Sequence, residues 1–128
     1  MAGRFLLDTN VVIAFFSGEK RIAERLAEAE VFVPTQVLGE LYYGARKSAR
    51  AAENLARIQR FAAAIEILFC DGITAWFYSE VKDRLRLKGH PIPENDIWIA
   101  AISIQHGLTL ATRDEHFNHV DNLERENW

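Results

Sequence analysis

The chain has 128 residues, a formal net charge of −3, 49% hydrophobic residues and 26% charged residues. That length suits one domain with a real core, and the balance of apolar and charged residues excludes a disordered chain. No apolar run approaches the ~20 residues of a membrane span, and MAGRFLLD lacks a secretory hydrophobic region, so a cytoplasmic protein is expected.

RFLL reads as a short buried strand ending at Asp8. Thr9 or Asn10 can cap the helix NVVIAFFSG, which Gly18 stops. EKRIAERLAEA is an amphipathic helix, and EVFVP is a second strand closed by Pro34. Thr35 is the expected cap of QVLGELYYGARKS, with Val37, Leu38, Leu41, Tyr42 and Ala45 as its inner stripe and Glu40 flanking it. Gly39 is expected at a close backbone approach. AAENLARIQRFAAA is a further helix and IEILFC a third strand. Cys70, the single cysteine, is expected there as a small buried hydrophobe. GITAWFYSEVKDRLRLKG is a longer helix with Asp71 as a possible cap, followed by the loop HPIPEN. DIWIAAISIQHG is helical, ended by Gly107, and LTLAT is a fourth strand. The tail HVDNLERENW is ambiguous, with room for a short edge strand. Strands alternating with helices predict an α/β fold around a parallel sheet, in one domain over residues 1–128.

Four acids stand in separate, otherwise apolar segments: Asp8, Glu40, Asp96 and Asp114. Two carboxylates about 4 Å apart repel by roughly 4 kcal/mol at an effective dielectric near 20. Gathered in one cleft, the four would need protons or a divalent cation. Asp8 and Asp114 lie at or just past strand ends, where ligands bind in open parallel sheets. Asp96 sits in the first turn of a helix and Glu40 in a helix that follows a strand. Singly, each has a plainer reading. Asp96 can favour a helix dipole, Asp114 can be a turn acid, and Glu40 can be solvated. Setting the four aside leaves 14 acids against 15 basic residues, so net charge does not decide the partner.

In their contexts the acids resemble the PIN-domain ribonucleases, and in particular the VapC toxins of bacterial and archaeal toxin–antitoxin pairs. The matching pieces are LLDTNVVI, VPTQVLGELYYGARKS, PENDIWIAAISIQHGLTLATRDEHF and LERENW, in the family's order. The stretch from Ala49 to Lys88 carries little of the pattern. The resemblance implies a PIN-like three-layer α/β/α sandwich around a mostly parallel sheet. It implies a metal-dependent endoribonuclease that hydrolyses RNA with metal-activated water, through one ion or two and no covalent intermediate. Mg²⁺ is the implied cofactor, with Mn²⁺ plausible. A homodimer and a cognate VapB-type antitoxin follow as partners. Asp8 and Asp96 match the principal metal ligands, and Glu40 and Asp114 complete the acidic cluster. Thr112 matches a hydroxyl position that holds a water or orients Asp114, and Asn10 a supporting polar residue.

Arg46, Lys47, Arg84, Arg86, Lys88, His90 and Arg113 are candidates for RNA phosphates, with a solvated helix face as the other reading for Arg84–Lys88. His116 and His119, spaced H-x-x-H, are not expected to form a zinc site, and His106 is expected to end a helix. Phe15, Phe16, Tyr42, Tyr43, Trp76 and Phe77 are expected mostly in the core, with Phe15, Phe16 and Tyr43 as candidates for a dimer or antitoxin surface. A haloacid-dehalogenase-type phosphatase would need an acid where Asn10 stands. A receiver domain would need paired acids near the first strand and a later lysine. The remaining rival is a catalytically silent PIN-like module that binds RNA or protein.

Overall fold

Three buried residues in a row, Phe5, Leu6 and Leu7, make β1 (Arg4–Leu7) a strand covered on both faces, as a central parallel strand requires. The computed structural model describes residues 3–128. β2 (Glu30–Pro34), β3 (Glu66–Leu68), β4 (Thr109–Ala111) and β5 (Arg125–Glu126) join β1 in a five-stranded sheet of order β3-β2-β1-β4-β5, parallel at every pairing. The tail therefore does hold an edge strand. Leu7 of β1 stands opposite Ala111 of β4, so Asp8 and Thr112 leave the sheet side by side at its carboxyl edge.

Among the described residues, six helices flank the sheet in an α/β sandwich: α1 (Thr9–Phe16), α2 (Lys20–Glu28), α3 (Thr35–Arg46), α4 (Ala51–Ala63), α5 (Gly72–Lys88) and α6 (Glu94–Gln105). A turn of 3₁₀ helix covers Glu115–His119. α6 is apolar nearly all round, because Ile97, Ile99, Ala100, Ala101 and Ile102 are all buried. Its buried Ser103 hydroxyl donates to the Leu108 carbonyl at 2.8 Å, which satisfies the polar atom inside that core. Phe117, fully buried, pins the 3₁₀ turn onto the same core, a burial worth about 1.5–3 kcal/mol. Trp128 fixes the far end, packed 4.9 Å from the Phe5 ring beneath the Arg25 guanidinium. None of the described helices is long and apolar enough to cross a membrane.

Several local expectations are corrected. Asp8, rather than Thr9 or Asn10, caps α1, accepting from the Thr9 N–H at 2.8 Å. Thr35 is the first residue of α3, not its cap, and its hydroxyl donates to the Leu68 carbonyl at 3.2 Å. Gly39 is exposed, and a Cβ there would meet nothing within 4 Å, so no close approach requires glycine. Asp71 does cap α5, in a reciprocal box with Thr74. Gly89, at φ 72°, ends α5 in the left-handed conformation that favours glycine.

Cys70 is exposed rather than buried. β3 is an edge strand of three residues, so the chain has already left the sheet at Phe69, which is 71% exposed. Of the six aromatics expected mostly in the core, none is fully buried, though Phe15, Phe16 and Tyr42 pack against the core from its edge. Tyr43 and Trp76 are exposed, and Phe15, Phe16, Tyr42 and Phe77 are half-buried. Phe16 instead meets Phe61 edge to face at 5.4 Å, beneath Arg57.

Candidate metal centre

Asp8 is held at the end of β1 from both sides. Its N–H donates to the Ala111 carbonyl at 3.0 Å, which carries the β1–β4 pairing one residue further. One carboxylate oxygen serves the cap of α1; the other accepts from the Thr112 hydroxyl at 2.7 Å and from Asn10 Nδ2 at 3.3 Å. Burial pushes the Asp8 carboxyl above its ordinary value, the Thr112 and Thr9 bonds pull it back, and the charges of Glu40 and Asp114 push it further up.

Asp96 enters from the first turn of α6 and is buried. Burial raises its carboxyl to about 6; the Asp8 charge adds to this, and His116 opposes it. Asp114 caps the 3₁₀ turn by accepting from the His116 N–H at 2.9 Å, and its own N–H donates to the Thr112 hydroxyl at 3.0 Å. Thr112 therefore links Asp8 to Asp114 through one buried hydroxyl. Glu40 reaches the same cleft from α3, clamped by the Thr9 hydroxyl and by Asn95 Nδ2 at 2.5 Å. Neighbouring charges raise the Asp8 and Asp96 carboxyls in a partly dry cleft, which favours a cation, and an oxygen-rich donor set suits a hard divalent ion. Asp96, Asp114 and His116 each offer an atom to one such site, the three atoms lying within 4.8 Å of one another.

Three contributors escaped the sequence reading. Thr9 and Asn95 adjoin Asp8 and Asp96 in the very motifs that marked the acids, but nothing local says that both turn to Glu40. His116 is the third. Its Nδ1 lies 3.3 Å from Asp96 Oδ2 and 3.1 Å from Asp114 Oδ1. Its spacing from His119 pointed elsewhere, and His119 in fact stacks on His90 with ring centroids 4.2 Å apart.

The basic candidates are largely engaged. Arg113 turns from the cleft to Glu19, at 2.7 Å, and to the Trp128 carbonyl, at 2.6 Å. Lys88 holds Asp121 at 2.5 Å and the His119 carbonyl at 2.9 Å; Arg84 lies 3.8 Å from Asp121, and Arg86 pairs with Asp83. Arg46 is exposed in the last turn of α3, and the Lys47 ammonium sits over the Tyr43 ring at 4.5 Å. Arg113→Ala is accordingly expected to lower the melting temperature by a few degrees while leaving the salt dependence of RNA binding unchanged. A flatter salt slope would make Arg113 a phosphate contact instead.

Thr112→Val keeps the shape of the side chain and removes the hydroxyl. It leaves the Asp114 N–H without its acceptor and Asp8 without its strongest local donor. The expected cost in urea unfolding is about 1–3 kcal/mol, and an unchanged midpoint would show that the link carries no stability.

A parallel α/β sandwich with acids gathered beyond the carboxyl ends of adjacent central strands defines an acidic cleft at the edge where such sheets bind ligands. The chain belongs to the PIN domain family, whose model matches residues 5–123. It is similar to ribonuclease VapC2 of Haemophilus influenzae, with 34% identity over 98% of both chains. It is also similar to the tRNA(fMet)-specific endonuclease VapC of Shigella flexneri, with 31% identity over 98% of both. Among solved structures, VapBC from Salmonella typhimurium bound to DNA matches with a TM-score of 0.91 at 29% identity, covering 100% of this chain and 99% of that one. VapBC2 from Rickettsia felis, bound to a DNA fragment from its promoter, matches with a TM-score of 0.90 at 28% identity over 98% of both chains.

Proposed function

We propose that the protein is the ribonuclease toxin of a toxin–antitoxin pair, an endonuclease that hydrolyses RNA phosphodiester bonds with a divalent cation. The observation that carries this reading is the meeting of Asp8, Asp96 and Asp114, with Glu40 behind them, in one cleft of a PIN-domain chain whose relatives are VapC ribonucleases. Residues 1–128 are read as one PIN domain acting in the cytoplasm, where its RNA would be.

Asp8, Asp96 and Asp114 would hold the ion, with Glu40 completing the acidic wall; Mg²⁺ is proposed, and Mn²⁺ is expected to replace it. A bound divalent cation supplies water activation and offsets charge on the phosphate oxygens. The chain's own groups set the geometry. Thr112 ties the Asp8 carboxylate to the Asp114 backbone, Thr9 and Asn95 fix Glu40, and Asn10 accepts from the Arg113 N–H at 3.1 Å, fastening the loop after β4 to α1.

A groove of about 300 Å³ lined by Ile13, Phe16, Leu41, Ala45 and Ile58 runs up to Glu40, and Ile13 is 53% exposed in it. An apolar segment of a VapB-type antitoxin would fit there and block the cleft, in keeping with the VapBC complexes among the similar structures. The homodimer that the resemblance implies belongs to the same reading and is tested by sedimentation of the purified chain. The tRNA(fMet)-specific endonucleases of Shigella and Salmonella, 31% and 30% identical, make initiator tRNA the first substrate to try. Incubation of total RNA with the protein and Mg²⁺, followed by mapping of the new ends, tests the activity. Failure to cut any RNA while the ion binds would leave a silent RNA- or protein-binding module.

A further inference from the structure

We infer that His116 is a nitrogen ligand of the metal centre, and that it turns the centre's preference from Mg²⁺ toward Mn²⁺. This rests on the proposal above that the acidic cleft holds a divalent ion.

The imidazole is placed by its own backbone. The His116 N–H donates to Asp114 Oδ1 at 2.9 Å at the start of the 3₁₀ turn, while Phe117 anchors the next residue in the core. The ring is thereby held at the mouth of the cleft, with about half of the side chain open to solvent. Nδ1 faces carboxylates from two different elements, 3.3 Å from Asp96 Oδ2 and 3.1 Å from Asp114 Oδ1. Neighbouring ligands in an octahedron with bonds of about 2.1 Å stand about 3 Å apart. The two distances from Nδ1 match neighbouring ligands of one ion, and Asp96, Asp114 and His116 each offer an atom within 4.8 Å of the other two.

A simple ion pair between an imidazolium and the acids is the competing account. One imidazolium offsets at most one charge, and four carboxylates, Asp8, Glu40, Asp96 and Asp114, converge here. A divalent ion offsets twice as much and takes the neutral imidazole as a donor rather than as a competitor. Mg²⁺ demands hard oxygen ligands and keeps its waters, whereas Mn²⁺ takes the same carboxylates and, as a first-row transition ion, accepts an imidazole nitrogen beside them. An all-carboxylate centre would lack that bias.

The test is ion binding rather than cleavage. Isothermal titrations with Mn²⁺ and with Mg²⁺ are run on the wild type, His116→Ala, His116→Gln and Asp8→Asn, each checked for an unchanged circular dichroism spectrum. Pulsed electron paramagnetic resonance of the Mn²⁺-loaded protein reads nitrogen coupled to the ion. The expected result is a ¹⁴N coupling in the wild type that both His116 variants lose. Their Mn²⁺ affinity should fall on the order of tenfold while Mg²⁺ affinity changes little. Absence of nitrogen coupling in the wild type, or an unchanged ratio of Mn²⁺ to Mg²⁺ affinity in both variants, would overturn the assignment. Asp8→Asn separates the two levels. If it leaves ion binding intact, the proposed centre itself fails; if it weakens both ions while the His116 variants do nothing, only the ligand assignment does.

Discussion

Asp8→Asn is expected to reduce RNA cleavage by at least about 10³-fold, roughly 4 kcal/mol of lost transition-state stabilisation, while the metal-free variant melts above the wild type. The two effects share one cause. Burial makes the ionised Asp8 carboxylate costly in the empty site, and the charges of Glu40 and Asp114 add to the cost. Asparagine keeps the cap on α1, because its amide oxygen can still accept from the Thr9 N–H. It removes the charge a cation needs. A smaller opposing effect comes from Thr112, whose hydroxyl now donates to Asp8 and would face an amide nitrogen. Because desolvation is the largest influence on Asp8, relief of the charge is expected to outweigh that mismatch. Full cleavage activity in a folded Asp8→Asn protein would refute the proposed chemistry. A melting temperature well below wild type would show that Asp8 is mainly a structural cap.

The second large effect is on the pH dependence of stability without metal. The Asp96 carboxyl is raised in the folded state from 3.8 to about 6. A native state that holds this proton more tightly than the unfolded chain is favoured at low pH. The favourable contribution is fully present below about 4 and is lost as pH rises through about 6. A rise of about two pH units corresponds to on the order of 3 kcal/mol. Burial shifts Asp8 in the same direction. Glu19, Asp71, Glu94 and Asp121 behave oppositely, because hydrogen bonds from Arg113, Thr74, Lys82 and Lys88 lower their carboxyls, and their contribution fades as pH falls. The informative quantity is therefore the difference between wild type and Asp96→Asn. In urea unfolding with a chelator, the wild type is expected to lose stability relative to Asp96→Asn between pH 4 and pH 7. Saturating Mg²⁺ or Mn²⁺ should cancel the loss. A difference that stays flat across that range would mean that Asp96 carries no such penalty.

The sheet was legible because its strands are short runs such as FLL and LTLA set between helices of clear apolar period. Asp8 was legible for the same reason, as an acid directly after a buried strand in an alternating chain. Asp96 and Asp114 could be placed because one follows a proline-bounded loop and the other a strand end. Other residues had no such frame. Cys70 ends a run that reads as buried, yet β3 is an edge strand too short to cover it. Tyr43 and Trp76 read as core by composition, but the face each presents depends on which neighbours pack there, and both lie on uncovered surface. Arg113 adjoins Asp114 in the chain and turns the opposite way, toward Glu19.

The amino-acid sequence by itself determined the strand–helix alternation, the acids and the edge of the sheet at which they emerge, because apolar period and strand ends are local properties. The tertiary structure alone decided how the acids are held and what joins them. His116 meets Asp96 from 20 residues away, Thr9 meets Glu40 from 31, Asn95 meets Glu40 from 55, and Thr112 meets Asp8 from 104. No local pattern encodes such contacts. They exist because β1 and β4 pair in register, which sets Asp8 beside Thr112, and because the buried faces of α3 and α6 bring Glu40, Asn95 and Asp96 to the same edge.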